Sequence, residues 1–150
     1  MPLDPEIKAV PMGQAELLRD GDDAAILVFG TLAHPAVEAA AELAGDGLRV
    51  AVLNARFAKP LDAERILGLA RRCGALLTVE EHSVQGGFGA AVLELLAASG
   101  LSVPVRCLAI PDGVIEHGDP GAQKWTSPAG SESNRAVALH RNGDPEGSRY

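Results

Sequence analysis

The chain has 150 residues and a formal charge of −7 at pH 7. Hydrophobic residues make up 47% of the chain, but aromatic residues make up only 3%. This length suits one domain with an aliphatic core that needs no disulfide or metal. The acidic balance argues against a nucleic-acid partner, and no apolar run approaches membrane-spanning length, so we expect a cytoplasmic protein without nucleic-acid or membrane partners.

The first half of the chain alternates short apolar runs with helical spacing. Residues 14–19 predict an edge strand, and the runs at 24–30 and 49–54 predict strands buried on both faces. Between the strands at 24–30 and 49–54, a helix is predicted with apolar residues at i, i+3, i+4 and i+7, namely Val37, Ala40, Ala41 and Ala44. Gly45–Asp46–Gly47 is interpreted as the turn that ends this helix.

Two further helical patterns follow, each next to a predicted strand. Asp62 is placed to cap a helix, and the strands are predicted at 75–79 and 103–110. The capped helix repeats apolar residues at Ile66, Leu69, Ala70 and Cys73. The last helix repeats them at Phe88, Ala91, Val92 and Leu95.

Strands separated by single helices run parallel and place helices on both faces of a sheet. The predicted fold is therefore a three-layer α/β/α sandwich with a mostly parallel sheet of about five strands. We assign residues 1–119 to this domain. Residues 120–150 are rich in Gly, Ser, Pro, Asn and Asp without a sustained period, so we expect a poorly ordered tail.

Polar residues and glycines follow the predicted strands, at the rim where carboxyl ends of parallel strands meet. The candidates for organising this rim or an interface are Arg56, Glu80, Glu81, His82, Gly86, Gly87 and Phe88. Adjacent carboxylates and an imidazole are groups that acid–base catalysis uses. However, adjacent strand residues point to opposite faces, and carboxylates before a helix favour its dipole. We favour the structural interpretation, in which none of these residues is catalytic.

Gly86 and Gly87 open the last predicted helix, where backbone N–H groups can hold a phosphate. The helix N-terminus offers about half a positive charge, whereas Glu80 and Glu81 nearby carry two negative charges. Anion binding would need Arg56 to lean across the rim. We favour a tight strand-to-helix turn, and assign no cofactor-binding residue.

Cysteines and histidines show no metal-ligand spacing. Cys73 and Cys107 lack a CxxC pattern and are interpreted as small hydrophobic residues in a reducing compartment. His34, His117 and His140 lie apart at helix and loop boundaries or in the tail. No metal ligand is predicted.

Four segments together carry a family resemblance: VPMGQAELLRDGDDAAILVFGT, VAVLNARFAKPLD, LLTVEEHSVQGGFGAAVLELL and IPDGVIEHGDP. In order and spacing, from about Val10 to His117, they resemble the C-terminal domain of the 1-deoxy-D-xylulose-5-phosphate synthase family, within the transketolase superfamily. The combination of NARFAKPLD with TVEEHSVQGGFG is specific, whereas GGFG alone is weak. The segment after His117 lacks the leucine-rich GLD-containing end of that family.

The resemblance implies a piece of a thiamine-diphosphate enzyme that joins pyruvate and glyceraldehyde 3-phosphate, releases carbon dioxide and starts isoprenoid precursor synthesis. In that family the two preceding domains carry the thiamine diphosphate, its Mg²⁺ and the activating glutamate. The chain alone is therefore expected to bind no cofactor and to be inactive. Its implied partners are those missing domains and a second copy in a homodimer.

Two other interpretations remain open. The first is the matching domain of a transketolase or of a 2-oxoacid dehydrogenase β subunit, which share the architecture. The second is a stand-alone α/β interaction module, because a fold does not determine a function.

Overall fold

The structure, a computed structural model, describes residues 9–110. Within them, five strands and three helices alternate as predicted: β1 (Glu16–Arg19), β2 (Ala24–Phe29), α1 (Ala33–Gly45), β3 (Val50–Asn54), α2 (Ala63–Cys73), β4 (Leu76–Ser83), α3 (Phe88–Ala98) and β5 (Val105–Ile110). The predicted tail at 120–150 lies outside the described residues. None of the three helices is long and apolar enough to cross a membrane.

The strands form one sheet in the order β1-β3-β2-β4-β5. β1 is antiparallel to β3, and the other neighbours are parallel, so that Ile26 at the centre of the sheet pairs with Val52 on one side and Leu77 on the other. Helices cover both faces of the sheet. The predicted three-layer sandwich with a mostly parallel sheet is confirmed.

The core consists of two apolar layers, one on each face of the sheet. Leu27 and Leu53 point from the sheet to the layer under α2 and α3, where Ile66 and Val92 are buried. The neighbouring strand residues point the other way, and this second layer packs on α1 through Ala36, Ala40 and Leu43. Full burial of one such aliphatic side chain stabilises the fold by about 1.5–3 kcal/mol.

The predicted buried face of α2 is confirmed, because Ile66, Leu69, Ala70 and Cys73 are its buried residues. That of α1 is confirmed only in part, because Ala40 is buried and Val37 packs partly buried against the core. Ala41 and Ala44 are exposed, whereas Ala36 and Leu43 are buried together with Ala40. Alanines occur on several sides of this helix, so their spacing alone does not determine which side packs against the sheet.

The face of α3 is partly as predicted. Phe88 and Val92 are buried, but the third large buried residue is Leu96, and Leu95 is only half-buried. Most residues of this helix are apolar, so its periodicity is weak. The strand before it is also longer than predicted, because β4 continues through Glu80, Glu81 and His82 to Ser83 instead of ending at Val79.

Candidate functional site

The candidate site is the rim at the carboxyl ends of β2, β3 and β4. The chain leaves β2 through α1 toward β3, on one side, and leaves β4 through α3 toward β5, on the other. The connections of β2 and β4 thus diverge. A divergence of this kind is where open α/β sheets bind their ligands.

Glu80, near the end of β4, is a buried carboxylate that caps α3. Its exposed fraction is 2%. Oε2 accepts a hydrogen bond of 2.7 Å from the backbone N–H of Phe88, and Oε1 accepts one of 2.8 Å from Gly89. Both oxygens therefore pair with backbone donors at the positive end of the helix, an arrangement that offsets the desolvation of the charge.

Glu81, the next residue, bonds to the turn that precedes α1, on the opposite face of the sheet. Its Oε2 accepts a hydrogen bond of 3.2 Å from the backbone N–H of Thr31 and another from the Thr31 hydroxyl. Thr31 lies in the turn between β2 and α1. This contact spans the divergence between β2 and β4.

Together, the two carboxylates tie β4 to the starts of two helices. Strand geometry sends Glu80 toward α3 and Glu81 toward α1, so they do not converge on one reacting atom. Each is bonded to backbone donors of its own layer. The two carboxylates therefore bond to helix beginnings on opposite faces of the sheet.

The paired glycines make the turn into α3 possible. Gly86 has a φ of +70°, which favours glycine. A Cβ on Gly87 would lie 2.4 Å from Oε2 of Glu80 and 2.4 Å from the carbonyl oxygen of Ser83. Gly87 therefore lets the carboxylate reach the helix.

Phe88 and Gly89 begin α3 and fix its distance from the sheet. The Phe88 ring stacks on Phe29 of β2, with centroids 5.6 Å apart. A Cβ on Gly89 would lie 2.6 Å from Oγ1 of Thr78 and 2.8 Å from Sγ of Cys107. The sequence prediction missed Gly89, although a glycine inside a helical pattern is a signal of close packing.

Arg56 does not reach the carboxylates of β4. It follows β3 with a φ of +57°, and its N–H donates to Oδ1 of Asn54 at 3.2 Å. Its Nη2 donates to Oε2 of Glu16 at 2.6 Å. Arg56 therefore joins the end of β3 to β1, and Glu16 is a partner that the sequence prediction missed.

Asp62 joins the same edge to α2. Oδ1 accepts from the N–H of Arg65 at 3.1 Å, which is the predicted helix cap. Oδ2 accepts from the N–H of Ala15, just before β1, at 2.9 Å. One side chain thus caps a helix and holds the entry to the edge strand.

The remaining rim candidate, His82, is exposed on β4. Among residues 9–110 no group of three or more His, Cys, Asp or Glu is placed to hold a metal ion. The N–H groups of Phe88 and Gly89, where a diphosphate would bind, are already bonded to Glu80. The residues of this rim therefore do not fit a diphosphate group with its metal.

A separate charged cluster lies at the opposite end of the sheet. Arg72 donates to Asp20 and, at 3.2 Å, to the carbonyl oxygen of Gly21. The hydrogen bond from Arg72, followed by that from the Gly21 N–H, lowers the pKa of the Asp20 carboxyl. A Cβ on Gly21 would lie 2.4 Å from the carbonyl oxygen of Arg49. This cluster ties α2 to the turn before β2.

Sequence comparison finds relatives along most of the chain. A family model described as transketolase, C-terminal domain, matches residues 13–129. The 1-deoxy-D-xylulose-5-phosphate synthase 1 of Geobacter sulfurreducens is 53% identical over 119 residues, which are 79% of this chain and 19% of that protein. The synthase of Thermomicrobium roseum is 46% identical over 133 residues, which are 89% of this chain and 21% of that protein. The chain thus spans about a fifth of the length of these relatives.

A solved structure agrees with the fold. It is described as split gene transketolase, inactive beta4 tetramer, and superposes with a TM-score of 0.75 at 33% identity. The match covers 91% of this chain and 43% of that chain.

Proposed function

Because the chain belongs to the transketolase C-terminal domain family, we propose that it serves as the C-terminal domain of a 1-deoxy-D-xylulose-5-phosphate synthase. The identities of 53% and 46% to two such synthases support this reading over a transketolase, for which the identity is 33%. The complete enzyme would join pyruvate to glyceraldehyde 3-phosphate, release carbon dioxide, and supply isoprenoid precursors in the cytoplasm.

The role proposed for this domain is structural. The observation that carries it is the use of Glu80 and Glu81, which bond to the starts of α3 and α1 on opposite faces of the sheet. The side chain of Glu81 bridges the carboxyl ends of β2 and β4, where the two connections diverge. Thiamine diphosphate and Mg²⁺ would bind to the preceding domains of the complete enzyme. No residue of this rim would be among their ligands.

The proposed partners are those preceding domains and a second copy of the chain. The rim candidates Arg56, Glu80, Glu81, His82, Gly86, Gly87 and Phe88 would organise the surface that meets them. The split gene transketolase supports a separate existence for part of such an enzyme, because that protein is described as a tetramer of one chain and as inactive. By analogy, this chain alone would assemble without turnover.

A chimaeric enzyme tests this function. The segment of the Geobacter sulfurreducens synthase that matches this chain is replaced by this chain, and formation of 1-deoxy-D-xylulose 5-phosphate is measured. We expect the chimaera to be active and the same enzyme without its C-terminal segment to be inactive, because the domain supports the catalytic domains.

The control is this chain assayed alone with pyruvate, glyceraldehyde 3-phosphate, thiamine diphosphate and Mg²⁺. It should give no product. A folded but inactive chimaera would contradict the assignment to this synthase, and turnover by the chain alone would contradict the structural role.

A further inference from the structure

An apolar groove of about 280 Å³ lies between β1 and α2. Leu17, which β1 contributes to this groove, is 39% exposed. The apolar surface continues before the strand, where Val10 and Met12 are exposed. The lining of the groove consists of three leucines, a glycine and two arginines, namely Leu17, Leu53, Leu69, Gly68, Arg65 and Arg72.

The chain reverses its direction just before β1. The N–H of Gln14 donates to the carbonyl oxygen of Pro11 at 3.3 Å, and Gly13 has a φ of +72°. A hydrogen bond between residues three positions apart, with a positive φ at the third residue, is typical of a β-turn. The turn directs the residues before Pro11 back toward the side of β1.

This turn is fixed beside the beginning of α2. A Cβ on Gly13 would lie 2.9 Å from Cγ of Pro60, and the N–H of Ala15 donates to Oδ2 of Asp62 at 2.9 Å. Asp62 is the residue that caps α2, and Arg65 of the groove accompanies it in the first turn of that helix. The residues before the turn therefore begin at one end of the groove.

Residues 1–8, MPLDPEIK, lie outside the described residues and precede this turn. Their composition complements the groove, because Leu3 and Ile7 are apolar and Asp4 and Glu6 are acidic. Eight residues in extended form span up to about 26 Å, whereas seven residues of helix rise by about 10 Å. The segment is therefore long enough to follow the groove from the first arginine of α2 to the second.

The two arginines of the groove retain bonding capacity. Arg65 bonds to Asp62, and Arg72 bonds to Asp20 and to the carbonyl oxygen of Gly21. A guanidinium group has five N–H donors, so each arginine has donors for a further carboxylate without losing these contacts.

We propose that residues 1–8 fold back beside β1 and cover this groove, with their apolar side chains on the three leucines and their carboxylates at the two arginines. Pro2 and Pro5 have no N–H, so the covering segment offers fewer donors for pairing with another chain. The segment thus protects an edge of the sheet that is otherwise open to association. This inference does not rest on the proposed enzymatic role.

Thiol labelling in the groove tests the contact. Gly68→Cys is tolerated, because nothing lies within 4 Å of a Cβ at this position. The rate of its reaction with N-ethylmaleimide is measured by peptide mass spectrometry, which separates it from Cys73 and Cys107. Removal of residues 1–8 should accelerate this labelling by about tenfold or more, because a covered thiol reacts only in a minor open state.

Two variants of the full chain separate the apolar contacts from the charged ones. Leu3→Asp/Ile7→Asp should accelerate labelling as much as the deletion does. Asp4→Lys/Glu6→Lys should accelerate it by a smaller factor, and high salt should reduce this difference from wild type, because salt screens exposed charges.

Gly45→Cys is the matched control, because a Cβ there also meets nothing within 4 Å, and it lies at the end of α1 on the opposite face of the sheet. Its labelling rate should be the same in every background, and circular dichroism should show that all variants are folded. Labelling at position 68 that neither the deletion nor the apolar change accelerates would overturn the proposal. Protection that is lost on dilution would also overturn it, since a second copy would then cover the groove.

Discussion

Glu80 and Gly87 form a single structural feature, because the carboxylate of one occupies the space that a side chain on the other would fill. A Cβ added to Gly87 would stand 2.4 Å from Oε2 of Glu80, which is the oxygen that accepts from Phe88. In this chain, the carboxylate that caps α3 therefore requires a glycine at position 87. This pairing gives a structural reason for acidic residues and paired glycines to occur together in this part of the sequence.

The first prediction concerns Gly87→Ala. The added methyl group would also meet the backbone carbonyl oxygen of Ser83, which cannot move as a flexible side chain does. The free energy of unfolding should fall by about 3 kcal/mol, at the upper end for overpacking. Gly68→Ala is the control, because nothing lies within 4 Å of its added Cβ in the middle of α2. This control should raise stability by about 0.5–1 kcal/mol. Urea unfolding measures both, and equal effects would refute the close contact.

The second prediction concerns Glu80. In Glu80→Gln, one oxygen still accepts, but the amide NH₂ faces the second backbone N–H, so the free energy of unfolding should fall by about 1–3 kcal/mol. Hydrogen exchange of the Phe88 and Gly89 amides should accelerate. The neighbouring residue Glu81 is exposed, so Glu81→Gln is the control. It should lower the free energy of unfolding by less than about 1 kcal/mol. Unchanged protection of Phe88 and Gly89 in the Glu80 variant would argue against the cap.

The third prediction concerns Asp62→Ala. Loss of the helix cap on Arg65 costs about 1 kcal/mol, and loss of the bond to the Ala15 N–H costs about 1 kcal/mol more. The measured fall in the free energy of unfolding should thus be about 2 kcal/mol, with faster hydrogen exchange at Ala15. Glu64→Ala, in the same helical turn, should leave Ala15 protected. A slow Ala15 amide in the Asp62 variant would contradict the second contact.

The fourth prediction concerns pH and Asp20. The hydrogen bond from Arg72 lowers the pKa of the Asp20 carboxyl in the folded chain. The stabilisation of the folded chain by this hydrogen bond is therefore present above the ordinary aspartate pKa. It is lost as the pH falls through the lower pKa of Asp20 in the folded chain. Wild type should therefore be more stable than Asp20→Asn at neutral pH, and the difference should disappear in strong acid. Because Asp20 is exposed, high salt should reduce it as well. A difference that grows toward acid pH would contradict this assignment.

Local patterns predict local structure in this chain, most clearly at α2. Its apolar residues recur on one side only, its other side carries Arg71 and Arg72, and Asp62 marks its beginning. In α1 and α3, by contrast, small or apolar residues occur on several sides. The direction of burial in these helices depends on the layer that they meet, which the spacing does not encode.

Contacts between distant residues are the part that sequence patterns leave open. Thr31 and Glu81 are 50 positions apart, and Arg56 and Glu16 are 40 apart. They meet because β2 lies beside β4 and β3 beside β1. The sequence predicts that Arg56 and Glu81 share a rim, but the strand order decides that they bond to Glu16 and Thr31 and not to each other.

The most direct test of the structural role is calorimetric titration of the purified chain with thiamine diphosphate in the presence of Mg²⁺. The helix N-terminus that would bind the diphosphate is already bonded to Glu80, so we expect no saturable heat at micromolar concentrations. Saturable micromolar binding with one site per chain would contradict the account.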